Sequence, residues 1–206
     1  MVAAVAIAPV NWVSVRRGGD VLRGVTKVAV LALLAVAAIV APADDTLVQV
    51  LVVLALAFSL AGDAALLREE LFMLGLVCFL LAHLLYTAAV LTEPDWMPVR
   101  AAIGGALALL VVVVLGIRLD RSLHGQPSVL RNGVRAYTLV IVTMLVVAWS
   151  AGPLLMASGA AFFVASDSLL GWNRFVEEDE RLQLAVMPTY HVGQVLMVLG
   201  LLHRLN

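Results

Sequence analysis

Apolar runs long enough to cross a bilayer follow one another along most of this 206-residue chain, with only short polar breaks between them. Seven fall near 25–41, 47–67, 71–91, 99–117, 135–151, 153–172 and 183–203. At ~1.5 Å per residue, about 17 residues just cross a hydrocarbon core, so each run is read as a membrane-spanning helix. Backbone groups in lipid must be satisfied within their own segment, and runs of this length satisfy them as helices. An eighth run, "VAAVAIAPVNWVSV" at 2–15, is short and holds Pro9 and Asn11. It lacks the basic stretch that opens a signal peptide and is read as a retained first helix. The expected fold class is all-α: a polytopic transmembrane helical bundle of about eight helices, forming one integral membrane domain over 1–206.

Composition agrees. The chain is 63% hydrophobic and 13% charged, against about 25% charged for a soluble domain, so it lacks the polar surface to coat a globule. A net charge of −1 leaves no basic footprint for nucleic acid. Cys78 is the single cysteine, which excludes a disulfide framework and a CxxC metal site. With eight spans, 11 of the 13 basic residues fall on one side and only Arg100 and Arg204 on the other. The positive-inside rule makes the crowded side cytoplasmic. Twelve of the 13 are arginine, as in GC-rich bacterial genomes, so a bacterial plasma membrane is the expected location. The stretch around 118–134 reads as the longest loop. Positive-inside bias is enough to explain its arginines, and membrane lipid headgroups are a further expected contact.

Ionisable groups inside spans are rare and mark function by default. Here they are Asp63, His83, Asp167 and His191, accompanied by Tyr86, Tyr137, Ser166, Ser168, Asn173, Tyr190 and Gln194. From the basic side, Asp63 lies ~6 Å deep, Asp167 ~7 Å, His191 ~12 Å and His83 ~18 Å. The outer half has no comparable cluster. His83 and Tyr86 share a helix face, as do Tyr190, His191 and Gln194. "GDAALLREELF" at 62–72 also echoes "SDSLLGWNRF" at 166–175, each followed by a span with a histidine. The echo allows two parallel four-helix halves whose aspartates face each other.

Blander roles exist for several of these groups. Lys27 serves equally as a positive-inside anchor, Tyr137 as packing, and Ser166 and Ser168 as donors to their own helix carbonyls. No GxSxG elbow makes either serine a nucleophile. Two carboxylates converging in a low-dielectric site cannot both be comfortably ionised, which leaves an acid beside a base. That pair suits hydrolysis of an acid-labile bond through an oxocarbenium-like state, as in a vinyl ether. A metal-dependent intramembrane hydrolase of ceramidase type and a small proton-coupled transporter are the alternatives. The first is weakened because only two histidines lie inside spans, neither in an HExxH pair. The second is weakened because the outer half has no polar path and no span looks strongly interrupted. No cofactor and no bound metal is expected.

"TK" at 26–27, "GD" at 62–63, "FLLAHLLYT" at 79–87, "SGAAFFVASDSLLGWNRF" at 158–175 and "YHVGQVLM" at 190–197 together resemble the YhhN-like lysoplasmalogenase family of integral membrane proteins. The resemblance runs from about residue 20 to the end, and the first helix is shorter than it implies. It implies an eight-helix enzyme that hydrolyses the alkenyl ether of lysoplasmalogens, with a lysophospholipid as its substrate partner. The products would be a fatty aldehyde and glycerophosphoethanolamine or glycerophosphocholine. The family's aspartates fall on Asp63 and Asp167. Its supporting polar shell falls on Lys27, His83, Tyr86, Tyr137, Ser166, Asn173, Tyr190, His191 and Gln194.

Overall fold

A computed structural model describes residues 20–42, 45–92 and 96–202; the expected first span at 2–15 lies outside the described residues. The regular elements among them are helical. In chain order they are α1 (Asp20–Val40), α2 (Thr46–Ala65), α3 (Phe72–Val90), α4 (Pro98–Val111), α5 (Ile117–Ser122), α6 (Ser128–Ala151), α7 (Leu154–Phe175) and α8 (Glu180–Leu202). A 3-10 turn at Glu69–Leu71 leads into α3. A π-helical turn, Val112–Gly116, joins α4 to α5. Six helical stretches are long and apolar enough to cross a membrane, with Pro98–Ser122 counted as one; α1 adds a shorter apolar stretch, Lys27–Val40. The protein is an all-α membrane-spanning bundle.

Local chemistry sets the helix ends. Asp45 caps α2, its carboxylate accepting from the Leu47 and Val48 amides at 2.8 and 3.3 Å. Proline occupies the first turn of α4, where its missing N–H costs nothing. Gln49 Nε2 donates to the carbonyls of Ala38 (2.8 Å) and Ala41 (3.0 Å), satisfying the end of α1 from the start of α2. The polar stretch around 118–134 is mostly helical, with its turn confined to 123–127. Both helices run past the apolar region, and Arg135 pairs with Asp120 at 2.6 Å across the turn.

The helices close into a bundle in which α7 and α8 share the most extensive contact, followed by α2 with α3. Small residues bring α7 and α8 together. A Cβ on Gly159 would sit 2.8 Å from the backbone nitrogen of Met197, and one on Gly200 2.6 Å from Met156 Cγ. By contrast, α4 packs mainly on α6 and faces outward, with only 11% of its apolar span buried. Gly159→Val should therefore overpack α7 against α8 and cost roughly 1–3 kcal/mol. Gly105→Ala, where nothing lies within 4 Å of the new methyl, should be neutral or better. Thermal melting of the purified variants compares the two.

Candidate active site

Asp63 sits in the last turn of α2 and is fully buried. Burying a carboxylate is costly unless it is paired and hydrogen-bonded. Lys27 Nζ, on α1, lies 2.7 Å from Asp63 Oδ1, and the Lys27 side chain is itself only 10% exposed. The Tyr190 hydroxyl donates to Asp63 Oδ2 at 3.1 Å. Behind it, Gln194 Nε2 donates to the Tyr190 oxygen at 3.2 Å and the Tyr86 hydroxyl donates to Gln194 Oε1 at 2.6 Å. A directed chain of donors thus runs from α3 through α8 to the carboxylate on α2.

Asp167, within α7, has a different environment. The Tyr137 hydroxyl on α6 donates to Oδ2 at 2.5 Å, and His83 Nε2 on α3 stands 3.7 Å from the same oxygen. His83 Nδ1 lies 2.7 Å from the Phe79 carbonyl, which only accepts, so Nδ1 carries the hydrogen. In the neutral ring, Nε2 then presents its lone pair toward Asp167. Edge contacts with Tyr137 (5.6 Å between centroids) and Phe163 (5.1 Å) hold the imidazole plane.

Both carboxylates line one cavity of about 420 Å³, within the ~300–1,000 Å³ of small-molecule sites. Lys27, Tyr137, Ser166 and Tyr190 also line it, and apolar residues of the wall include Leu76, Phe79, Ile141 and Val164. The rim holds Arg68, Glu69, Asn173, Arg174, Glu178 and Gln183, all at the end of the bundle where α2 and α7 finish. His83, Tyr86, His191 and Gln194 lie behind the lining. His191 is buried, with its ring 5.7 Å from that of Tyr190. Ser166 Oγ donates to the Val186 carbonyl of α8 at 3.1 Å, where a bond within its own helix was the expectation. Asn173 Oδ1 accepts from the Asp179 amide at 2.7 Å and so fastens the α7–α8 connection. Among the described residues, no group of three His, Cys, Asp or Glu side chains converges as a metal site.

Sequence reasoning named Asn173 but missed the rest of the rim. Arg68 and Arg174 look like positive-inside residues, although each follows an aspartate of the internal echo, by five and by seven positions.

The family model described as the YhhN family matches residues 22–201. The chain belongs to the YhhN family. Among curated relatives, lysoplasmalogenase TMEM86B of Sus scrofa is 34% identical over 146 residues, covering 71% of this chain and 61% of the relative. Lysoplasmalogenase TMEM86B of Homo sapiens is 33% identical over 156 residues, 72% of this chain and 62% of that one. A lysoplasmalogenase of Mycobacterium tuberculosis is 30% identical over 132 residues, 63% and 50% respectively. The chain thus spans about three fifths of the length of these mammalian relatives. No solved structure gives a significant match.

Within this YhhN family member, the Lys27–Asp63 contact makes a stability prediction. Lys27→Met leaves a buried carboxylate without its cation and should cost about 3–5 kcal/mol. Lys27→Met combined with Asp63→Asn should recover most of that loss. Melting temperatures of the wild type, both single variants and the double variant close the cycle; simple additivity would contradict the pairing.

Proposed function

We propose that this protein is a lysoplasmalogenase, hydrolysing the vinyl ether of lysoplasmalogens to a fatty aldehyde and glycerophosphoethanolamine or glycerophosphocholine. The observation that carries the reading is the placement of Asp63 and Asp167, from different helices, on one largely apolar cavity inside a membrane-spanning bundle. The names of the relatives point to the same reaction. The cavity opens on the side to which Arg68 and Arg174 belong, the arginine-rich side that the positive-inside rule makes cytoplasmic, and a bacterial plasma membrane is the expected setting.

The chemistry needs a proton delivered to the β-carbon of the vinyl ether, which turns C1 and its oxygen into an oxocarbenium ion. Water adds to C1 and gives up a proton. The resulting hemiacetal breaks its bond to the glycerol oxygen, which takes a proton, and the aldehyde leaves. One water is consumed and no redox change occurs. The two carboxylates stand in unlike surroundings that suit two unlike roles. Asp167, contacted by a hydroxyl and an imidazole, delivers the proton. Asp63, ion-paired with Lys27, accepts the proton of the attacking water and faces the oxocarbenium charge. Tyr137 and His83 hold Asp167, while Tyr190, Gln194 and Tyr86 hold Asp63.

The purified protein should release aldehyde from an alkenyl lysolipid and leave alkyl and acyl analogues intact, as read by mass spectrometry. In deuterated water the aldehyde should carry one deuterium at C2. Asp167→Asn should lower turnover by at least about a hundredfold. Cleavage of acyl lysolipids, or full activity in Asp167→Asn, would sink the proposal.

A further inference from the structure

Lys27 and Asn173 line the cavity and could in principle meet a lipid headgroup, yet both are engaged elsewhere. Lys27 pairs with Asp63 at 2.7 Å, and Asn173 accepts from the Asp179 amide at 2.7 Å. The remaining cations of the cavity are Arg68 and Arg174, both on its rim and both exposed. We propose that Arg68 and Arg174 clamp the phosphate of a zwitterionic glycerophospholipid headgroup at the cavity mouth, above the aspartate pair. This rests on the lysoplasmalogenase reading and deepens it by naming the residues that recognise the substrate's polar end.

Three observations support the clamp. The first is capacity. Arg174 stands 3.4 Å from Glu69 Oε1, longer than the ~2.7–2.9 Å of a strong charge-assisted bond. The Glu69 side chain is 87% exposed, so this pair yields readily to a competing anion. Arg68 makes no side-chain hydrogen bond or ion pair with another described residue. The second is orientation. The Arg174 guanidinium lies over the Phe72 ring at 5.1 Å, and Phe72 meets Phe175 edge-on at 5.7 Å, which fixes the fork at the rim.

The third is reach. The vinyl-ether C1 and the phosphorus of a lysoplasmalogen are six bonds apart, about 7.5 Å when extended. Arg174 follows Asp167 by seven helical residues, about 10 Å along the axis, and its side chain lines the same cavity. Arg68 lies three residues beyond the end of α2, whose last turn carries Asp63. A phosphate held by both guanidiniums therefore leaves the vinyl ether at the level of the carboxylates. Glu178, on the same rim, offers a carboxylate to the ammonium end of such a headgroup.

The test uses an uncleavable probe, 1-O-alkyl-lysophosphocholine, with 1-O-alkylglycerol as the phosphate-free control. Binding to the full-length protein in nanodiscs is read by tryptophan fluorescence. Arg68→Ala and Arg174→Ala should each weaken the phosphocholine probe roughly tenfold and leave alkylglycerol binding unchanged. Arg174→Lys, which keeps the charge, should recover part of the loss and stands in if the alanine variant fails to fold. Unchanged phosphocholine affinity, or equal loss for both lipids, overturns the clamp. Soluble glycerophosphocholine should displace the probe; displacement by inorganic phosphate at the same concentration would reveal a plain anion site and overturn the headgroup assignment. Because binding needs no turnover, the two ideas separate. A wild type that binds through the arginines yet cleaves no alkenyl lipid keeps the clamp and loses the reaction.

Discussion

The cost of burying the Asp63 carboxylate organises the cavity end of this bundle. An ionised carboxylate in a low-dielectric interior is tolerated only with a partner and hydrogen bonds, and both must come from other helices. Lys27 supplies the charge at 2.7 Å and Tyr190 the hydrogen bond at 3.1 Å. This fixes the register of α1 on α2, because sliding either helix would strand two buried charges. A second anchor at the opposite end of the pair, Gln49 on the last carbonyls of α1, constrains the same degree of freedom. Pinned at both ends, α1 holds its lysine where the carboxylate needs it.

The two carboxylates are braced reciprocally. Asp63 is contacted by Lys27 on the helix before its own and by Tyr190 on the helix after that of Asp167. Asp167 is contacted by Tyr137 on the helix before its own and by His83 on the helix after that of Asp63. Each histidine- or tyrosine-bearing helix that follows one aspartate thus reaches across to the other. The site is therefore also a lock between the two ends of the sequence, and separating them would leave both carboxylates half-partnered. A network this connected favours one arrangement, since each group is satisfied only when all are in place.

The aspartates and histidines were legible in the sequence because a charge inside an apolar run stands out against an almost empty background. Their polar neighbours were named as well, but which group pairs with which was not. Lys27 lies at a span boundary, where a buried counterion and a headgroup anchor look alike; only the position of α2 tells them apart. Tyr137 reads as packing until Asp167 is placed beside its hydroxyl. Ser166 donates across to Val186 because the glycines at 159 and 193 let α7 and α8 approach closely, which is a matter of tertiary contact rather than of local sequence. The polar stretch after residue 117 reads as a loop by hydropathy, yet helices continue past the hydrocarbon boundary wherever their residues allow it. The π turn at "VVVLG" was invisible for the same kind of reason, since every residue in it suits an ordinary helix.

That π turn bears on how one cavity serves two demands. Under the proposed reaction, the vinyl ether must meet the carboxylates within a fraction of an ångström, whereas the hydrocarbon tail needs only a dry surface. The reacting end is built on α2 and α7, and glycines bring α7 into backbone contact with α8, so that little can shift there. The opposite wall comes from the outward-facing α4–α5 stretch, through Val111, Leu115 and Leu119. Positions four apart in an unbroken α-helix drift about 40° around the axis, so three such residues would fan away from one another. A π turn carries an extra residue per turn and rotates less at each step, which offsets that drift between Val111 and Leu119. The three side chains therefore stay on the cavity while the helix bearing them stays loosely packed and lipid-facing. If the proposed reaction holds, such a wall would accommodate a tail without disturbing the carboxylates, because the contacts that fix Asp63 and Asp167 lie on other helices.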